Sequence, residues 1–200
     1  RFYFEQHRRA LEAAGGLIDF THIGEDLGTQ LAQVISHEIF ERHFAPKFKA
    51  YFDMAHAYGA KTMMHMCGCV AAFLPRLSEL GLDVYDVVQP TTPQTDIAEL
   101  QKKVGDRLCF CGSVCVQSTL AFGAPQEVER EVNRRLALFP KGGLFLGPTH
   151  AIQVGSPLEN ILALYRTAGS LMETVDDTIR AIGKEEVPDE AGKVNLSKLF

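Results

Sequence analysis

Residues 61–70, KTMMHMCGCV, decide how the rest of the chain is read. They begin as an apolar run of strand length and end in a turn loosened by Gly68. Side chains alternate across a strand, so His65 and Cys67, two residues apart, fall on one face near its end. An imidazole and a thiolate on one face suit Zn2+, at about 2.0–2.3 Å from each donor. Two other readings stand beside the metal. The pair could be a reactive thiol with its base, or a small buried hydrophobe beside a satisfied core histidine.

Working outward, four more apolar runs resemble the one at 60–67. They are GLIDFTHIG (16–24), LDVYDVVQP (82–90), DRLCFCGSV (106–114) and GGLFLGP (142–148). All are rich in β-branched and aromatic residues with little polar alternation, as in strands covered on both faces. Helical stretches lie between them. One opens at Pro46 and closes at Gly59, and one carries Phe73, Leu77 and Leu80 and stops at Gly81. Asp96 with Glu99 starts a third, ended by Gly105, and Pro125 starts a fourth. Ser156-Pro157-Leu158-Glu159 reads as a capping box with proline at the first helical position, starting a fifth.

Five strand–helix units in series require parallel pairing with right-handed crossovers. Two α/β architectures satisfy that: an open doubly wound sheet and a (β/α)8 TIM barrel. No G-x-G-x-x-G follows any strand, which lowers the nucleotide-binding version of the first. As a barrel, the chain supplies the C-terminal five or so βα units. It opens at Arg1 inside a helical pattern, so residues 1–200 are expected to be a single, N-terminally truncated domain with a charged peripheral tail at 184–200.

The 200 residues carry a formal net charge of −5 with scattered basic residues. That argues against nucleic acid or an anionic membrane as the main partner. No apolar run approaches the ~18–20 residues of a membrane span, and no signal peptide is visible. Cys67, Cys69, Cys109, Cys111 and Cys115 form two short clusters, an odd number unlike a disulfide scaffold. Reduced thiols in a cytoplasmic protein are the expectation.

In parallel α/β folds reactive groups collect at the C-terminal ends of strands. Those ends hold Glu25 and Asp26, then His65, Cys67 and Cys69, then Gln89, then Cys111 and Cys115, then His150. A catalytic zinc takes three protein ligands and an open position. In the metal reading, His65 and Cys67 would be the first two and His150 or Cys115 the third. Glu25 and Asp26 are candidates beside metal or substrate, or caps of their loop. Cys109 and the histidines at 7, 22, 37, 43 and 56 read as packing or surface residues.

With these residues in view, the chain resembles the C-terminal part of the uroporphyrinogen decarboxylase superfamily. The resemblance runs through GEDLGTQLAQ (24–33), HMCGCVAAF (65–73), GLDVYDVVQP (81–90), GDRLCFCGSVCVQS (105–118) and GGLFLGPTHAIQVGSP (142–157). It implies a (β/α)8 barrel with its cleft on the rim just described. One branch of the family decarboxylates a tetrapyrrole in porphyrin biosynthesis without metal or cofactor. The other is zinc-dependent and moves a methyl group from a methylated corrinoid (cobalamin) protein to a small-molecule thiol.

His65-x-Cys67-Gly68 resembles the zinc motif of the methyltransferase branch. The resemblance therefore implies zinc on His65 and Cys67 with Cys115 or His150. It implies a methylcorrinoid co-substrate near Gln89 and Ser113, and Glu25, Asp26 and His150 in catalysis. Two departures stand out. The turn Gly147-Pro148-Thr149-His150 has histidine where that branch has a GPGC-like cysteine, and Cys115 replaces an aspartate common in relatives. Decarboxylation, and corrinoid or tetrapyrrole binding without turnover, are the alternative functions.

Overall fold

Each of the five apolar runs forms a strand in the computed structural model, which describes residues 1–169. The strands are β1 (Phe20–Gly24), β2 (Lys61–His65), β3 (Val84–Val88), β4 (Cys109–Val114) and β5 (Leu144–Pro148). They pair in chain order, β1-β2-β3-β4-β5, and every pair is parallel. A doubly wound sheet reverses its order at a switch point. This sheet does not; its units follow one another in one direction, as in a barrel wall. It is also rolled, for the ring of Phe20 on β1 meets that of Phe145 on β5 edge-on, centroids 5.9 Å apart.

Helix α1 (Phe2–Ala14) precedes β1. After β1 comes α2 (His37–Ile39), which runs through a π-turn at Phe40–Phe44 into α3 (Ala45–Ala57). Then follow α4 (Leu74–Leu80), α5 (Ile97–Val104), α6 (Thr119–Phe122), α7 (Pro125–Leu138) and α8 (Leu158–Thr167). The end signals mostly hold. Asp96 caps α5, its carboxylate accepting from the N–H groups of Ala98 and Glu99 at 2.9 and 3.1 Å. Gly81 closes α4 in the left-handed region. The capping box at Ser156 does not form. Pro157 is extended and occupies the N-cap, so Ser156 sits one residue too far out, its buried hydroxyl without a partner. The expected tail at 184–200 lies outside the described residues.

The larger core packs α3, α4 and α5 on the outer face of β2 and β3, with Phe40, Phe52, Phe73, Tyr85 and Phe110 fully buried. Phe40 and Phe73 stack at 4.7 Å. A smaller core joins Val114 and Leu120 to Val128, Val132 and Leu164 under α7 and α8. Polar ties stitch the second layer on. Buried Arg135 of α7 pairs with Glu131 and donates to the Ser113 carbonyl at 3.3 Å. Asn160 of α8 donates to the Leu120 and Gly123 carbonyls. Among the described residues no helix is long and apolar enough to cross a membrane.

Asp83, just before β3, holds the start of β2. Its carboxylate accepts from the Thr62 N–H and hydroxyl at 2.8 and 3.0 Å, from His56 Nε2 at 2.7 Å and from Lys61 Nζ at 3.0 Å. Burial pushes this carboxyl up, but the hydrogen bonds from His56, Thr62 and Lys61 outweigh it and hold it below the usual range. Asp83→Ala strands the Thr62 N–H, so chemical denaturation is expected to show a loss of about 1–3 kcal/mol near neutral pH. A lowered folded-state pKa means stabilisation present above the ordinary carboxylate value and lost as pH falls. The gap between wild type and Asp83→Ala should therefore shrink below about pH 4.

Candidate metal centre

The alternation of β2 sorts its side chains. Thr62, Met64 and Met66 are buried on the helix side. His65, and Cys67 just past the strand, stand on the inner face. The Cys67 Sγ lies 3.2 Å from His65 Nε2. His150 reaches the same place from the loop after β5, its ring centroid 6.1 Å from that of His65. Thr149 anchors that loop: its N–H donates to the Val114 carbonyl at 2.9 Å and its hydroxyl accepts from the Val116 N–H at 3.1 Å.

One donor atom from each of His65, Cys67 and His150 lies within 4.8 Å of the others. Ligands around a tetrahedral zinc stand roughly 3.3–3.8 Å apart, given bonds of about 2.0–2.3 Å. Small side-chain adjustments close that difference, so two imidazoles and a thiolate fit a zinc ion. A cavity of about 300 Å³ opens beside them, lined by Gln30, Cys67, Gln89, Gln117, Thr149 and His150 among others. A larger cavity of about 650 Å³ flanks β1 and α1, touches His22 and Glu25, and contains none of the three donors.

Charge around the thiol is negative. Burial pushes Cys67 up from its ordinary value, and Asp26 and Asp86 add to the shift. The thiol form is therefore favoured until a cation arrives. Asp86 lies opposite His65 in the β2–β3 register. Its Oδ2 accepts from His65 Nδ1–H at 2.8 Å and faces His22 Nε2 at 3.4 Å. Cys111, on the same inner face, is pushed up to about 12 by burial and by Asp86.

The loop carrying Cys67 is held from two sides. The Gln89 carboxamide is buried and fully used. It accepts from the Gly68 N–H at 3.1 Å and from Gln30 at 3.2 Å, and donates to Gln30 at 2.8 Å and Gln117 at 3.0 Å. Gly68 sits at φ +83° against the neighbouring loop, where an added Cβ would meet the Thr29 carbonyl oxygen at 2.5 Å. Only glycine fits that approach. Cys69 N–H donates to the same carbonyl at 2.8 Å.

Of the residues singled out in the sequence, His65, Cys67 and His150 come together. Cys115 is buried with its sulfur 3.9 Å from the Thr91 hydroxyl, outside the donor group. Ser113 is buried at φ +83°, its hydroxyl without a partner. Glu25 and Asp26 are exposed on the loop after β1, where Glu25 N–H donates to the His65 carbonyl at 2.9 Å. Asp86, which the sequence reading passed over, and His22, which it read as packing or surface, complete the surroundings. The available signals were an acid inside an apolar strand run and a histidine two residues before a strand end.

The family model described as Uroporphyrinogen decarboxylase (URO-D) matches residues 11–171. A methylated-thiol–coenzyme M methyltransferase of Methanosarcina mazei is 25% identical over 156 residues, covering 76% of this chain and 40% of the relative. A methylcobamide:CoM methyltransferase of Methanosarcina barkeri is 34% identical over 104 residues, covering 52% of this chain and 29% of the relative. The chain thus spans well under half of either relative. A solved methyltransferase structure from Methanosarcina mazei superposes with a TM-score of 0.62 at 20% identity, over 76% of this chain and 42% of that one. It shares the fold, in which the five βα units are part of a barrel wall. With the family match running through both cores and all three donors, the chain belongs to the uroporphyrinogen decarboxylase family.

Proposed function

We propose that the protein is a zinc-dependent methyltransferase that moves a methyl group from a methylated corrinoid, carried by a partner protein, to a small-molecule thiol. The observation that carries this reading is the meeting of His65, Cys67 and His150 at the strand ends, within 4.8 Å of one another. Two relatives named as methyltransferases, one for methylcobamide and one for a methylated thiol, support the chemistry.

The residues divide the work as follows. His65 presents Nε2, His150 an imidazole nitrogen, and Cys67 its sulfur after losing a proton. When bound, zinc supplies the Lewis acidity that keeps an acceptor thiol deprotonated and nucleophilic at neutral pH. The cavity beside Cys67 receives that thiol, with the amides of Gln30 and Gln117 and the hydroxyl of Thr149 among its lining. Gln89 acts through the Gly68 peptide rather than on a ligand. Asp26 and Asp86 offset the charge of the cation. A methylcorrinoid brought to this rim would supply the methyl group, its cobalt keeping the pair of the broken cobalt–carbon bond as the new S–C bond forms, and the acceptor thiol would lose its proton to solvent. Glu25, exposed on the rim, lines the larger cavity rather than the one beside Cys67 and is assigned no part in this step.

Metal analysis of the full protein is expected to give about one zinc per chain. Cys67→Ser and His65→Ala should lose it, while Cys115→Ser should keep it. Stoichiometric zinc in purified Cys67→Ser would remove this reading. Methyl transfer from a methylcorrinoid to a thiol should stop on dialysis against a chelator and return with added zinc. Full activity in chelator would instead favour metal-free chemistry.

A further inference from the structure

His65 has two ring nitrogens, and they face different neighbours. Nε2 looks toward Cys67 at 3.2 Å, on the side of His150. Nδ1 looks toward Asp86 Oδ2 at 2.8 Å. A neutral imidazole carries one proton, and a metal takes only a bare nitrogen. A carboxylate cannot donate, so the Nδ1–Asp86 contact requires the proton on Nδ1. That leaves Nε2 as a lone pair, which accepts the Cys67 S–H while no cation is bound. Solvent alone favours the opposite arrangement, with the proton on Nε2.

We infer that Asp86 is a positioning residue for the metal centre: its carboxylate fixes the Nδ1–H form of His65 and so keeps Nε2 open toward Cys67 and His150. The inference rests on the zinc reading proposed above and names the residue on which that site's affinity depends. Several details support it. Asp86 is the residue paired with His65 in the β2–β3 register, so the contact is built into the sheet rather than left to a loop. The acid stands in the run Val84–Val88, where the other four residues are buried and apolar, and packing alone gives no reason for a charge there. Its other near neighbours, His22 at 3.4 Å and the Cys111 thiol, hold the carboxylate on the inner face without replacing His65. Three residues further along, Gln89 secures the Gly68 peptide beside Cys67. The third strand therefore steadies both donors of the second while contributing no ligand.

His22, His65 and Asp86 also form a group whose donor atoms lie within 4.8 Å of one another. A cation there would use Nδ1 of His65, and the proton argument would be reversed. The experiment separates the two arrangements. Nitrogen-15 NMR of the metal-free full protein reads the tautomer of His65 directly, with no variant needed. The expected result is Nδ1–H in the free protein and unchanged on adding zinc. Nε2–H in the free protein overturns the inference, whatever zinc does.

Zinc affinity is then measured by competition with a chromogenic chelator. Asp86→Ala should weaken binding about 10–100-fold, the usual effect of losing such a partner. It should also shift His65 toward Nε2–H. Asp86→Asn keeps an acceptor oxygen and should restore the Nδ1–H form with part of the affinity. Wild-type affinity and an unchanged tautomer in Asp86→Ala overturn the inference while leaving the zinc reading intact. A wild type that binds no zinc sinks the zinc reading and, with it, this one. Zinc kept by Cys67→Ser but lost by His22→Ala puts the ion on the other nitrogen and overturns both.

Discussion

The alignment of β2 between β1 and β3 is the constraint on which the rest depends. It places His65 level with Gly24 on one side and Asp86 on the other. A one-residue slip would turn His65 toward the helices and Met64 toward the trough. Several local devices prevent that slip. Asp83 grips Thr62 at the entrance to the strand, and Met64 and Met66 are sealed in the larger core. Gln89 and Gly68 fix the exit. Stability and the chemistry of the rim are therefore set by the same few bonds, placed at the two ends of one short strand.

The environment of Cys67 is unusual for a nucleophilic cysteine. Activated thiols sit beside cationic groups or helix N-termini that lower their pKa. Here burial and two nearby acids do the reverse. A lone thiolate would be disfavoured, and a bound divalent cation would relieve the repulsion while replacing the proton. The electrostatics thus favour a sulfur that serves as a ligand over one that attacks by itself. Imidazoles from the second unit and the fifth supply neutral donors, so the cation would keep much of its charge for polarising an incoming group.

Much of the architecture was legible because buried parallel strands announce themselves as continuous apolar runs, and all five fell where such runs occur. Gly81 and Asp96 marked helix ends by mechanisms that act within a few residues. Ser156 misled for the same reason: the local pattern was right, but Pro157 took the cap position. At the centre, His65 and Cys67 were visible through the two-residue period and His150 through its place at a strand end. Asp86 and His22 were not. Their place beside His65 arises from pairing between strands tens of residues apart; an acid in an apolar run and a histidine near a strand end were the local cues, and neither says which neighbour it meets. The third donor stayed open between Cys115 and His150 because direction past a strand end is set by loop conformation.

The contact between Gly68 and Thr29 has a consequence for how this centre can vary. The peptide after the sulfur rests against the backbone of the preceding unit, with no side chain between them to absorb change. The height of the sulfur above the sheet is consequently a property of two crossovers at once. Residues in the segment around Thr29 are not themselves among the three donors, yet reshaping that segment would carry the sulfur with it. A change in the first crossover is thus a remote adjustment screw for the second.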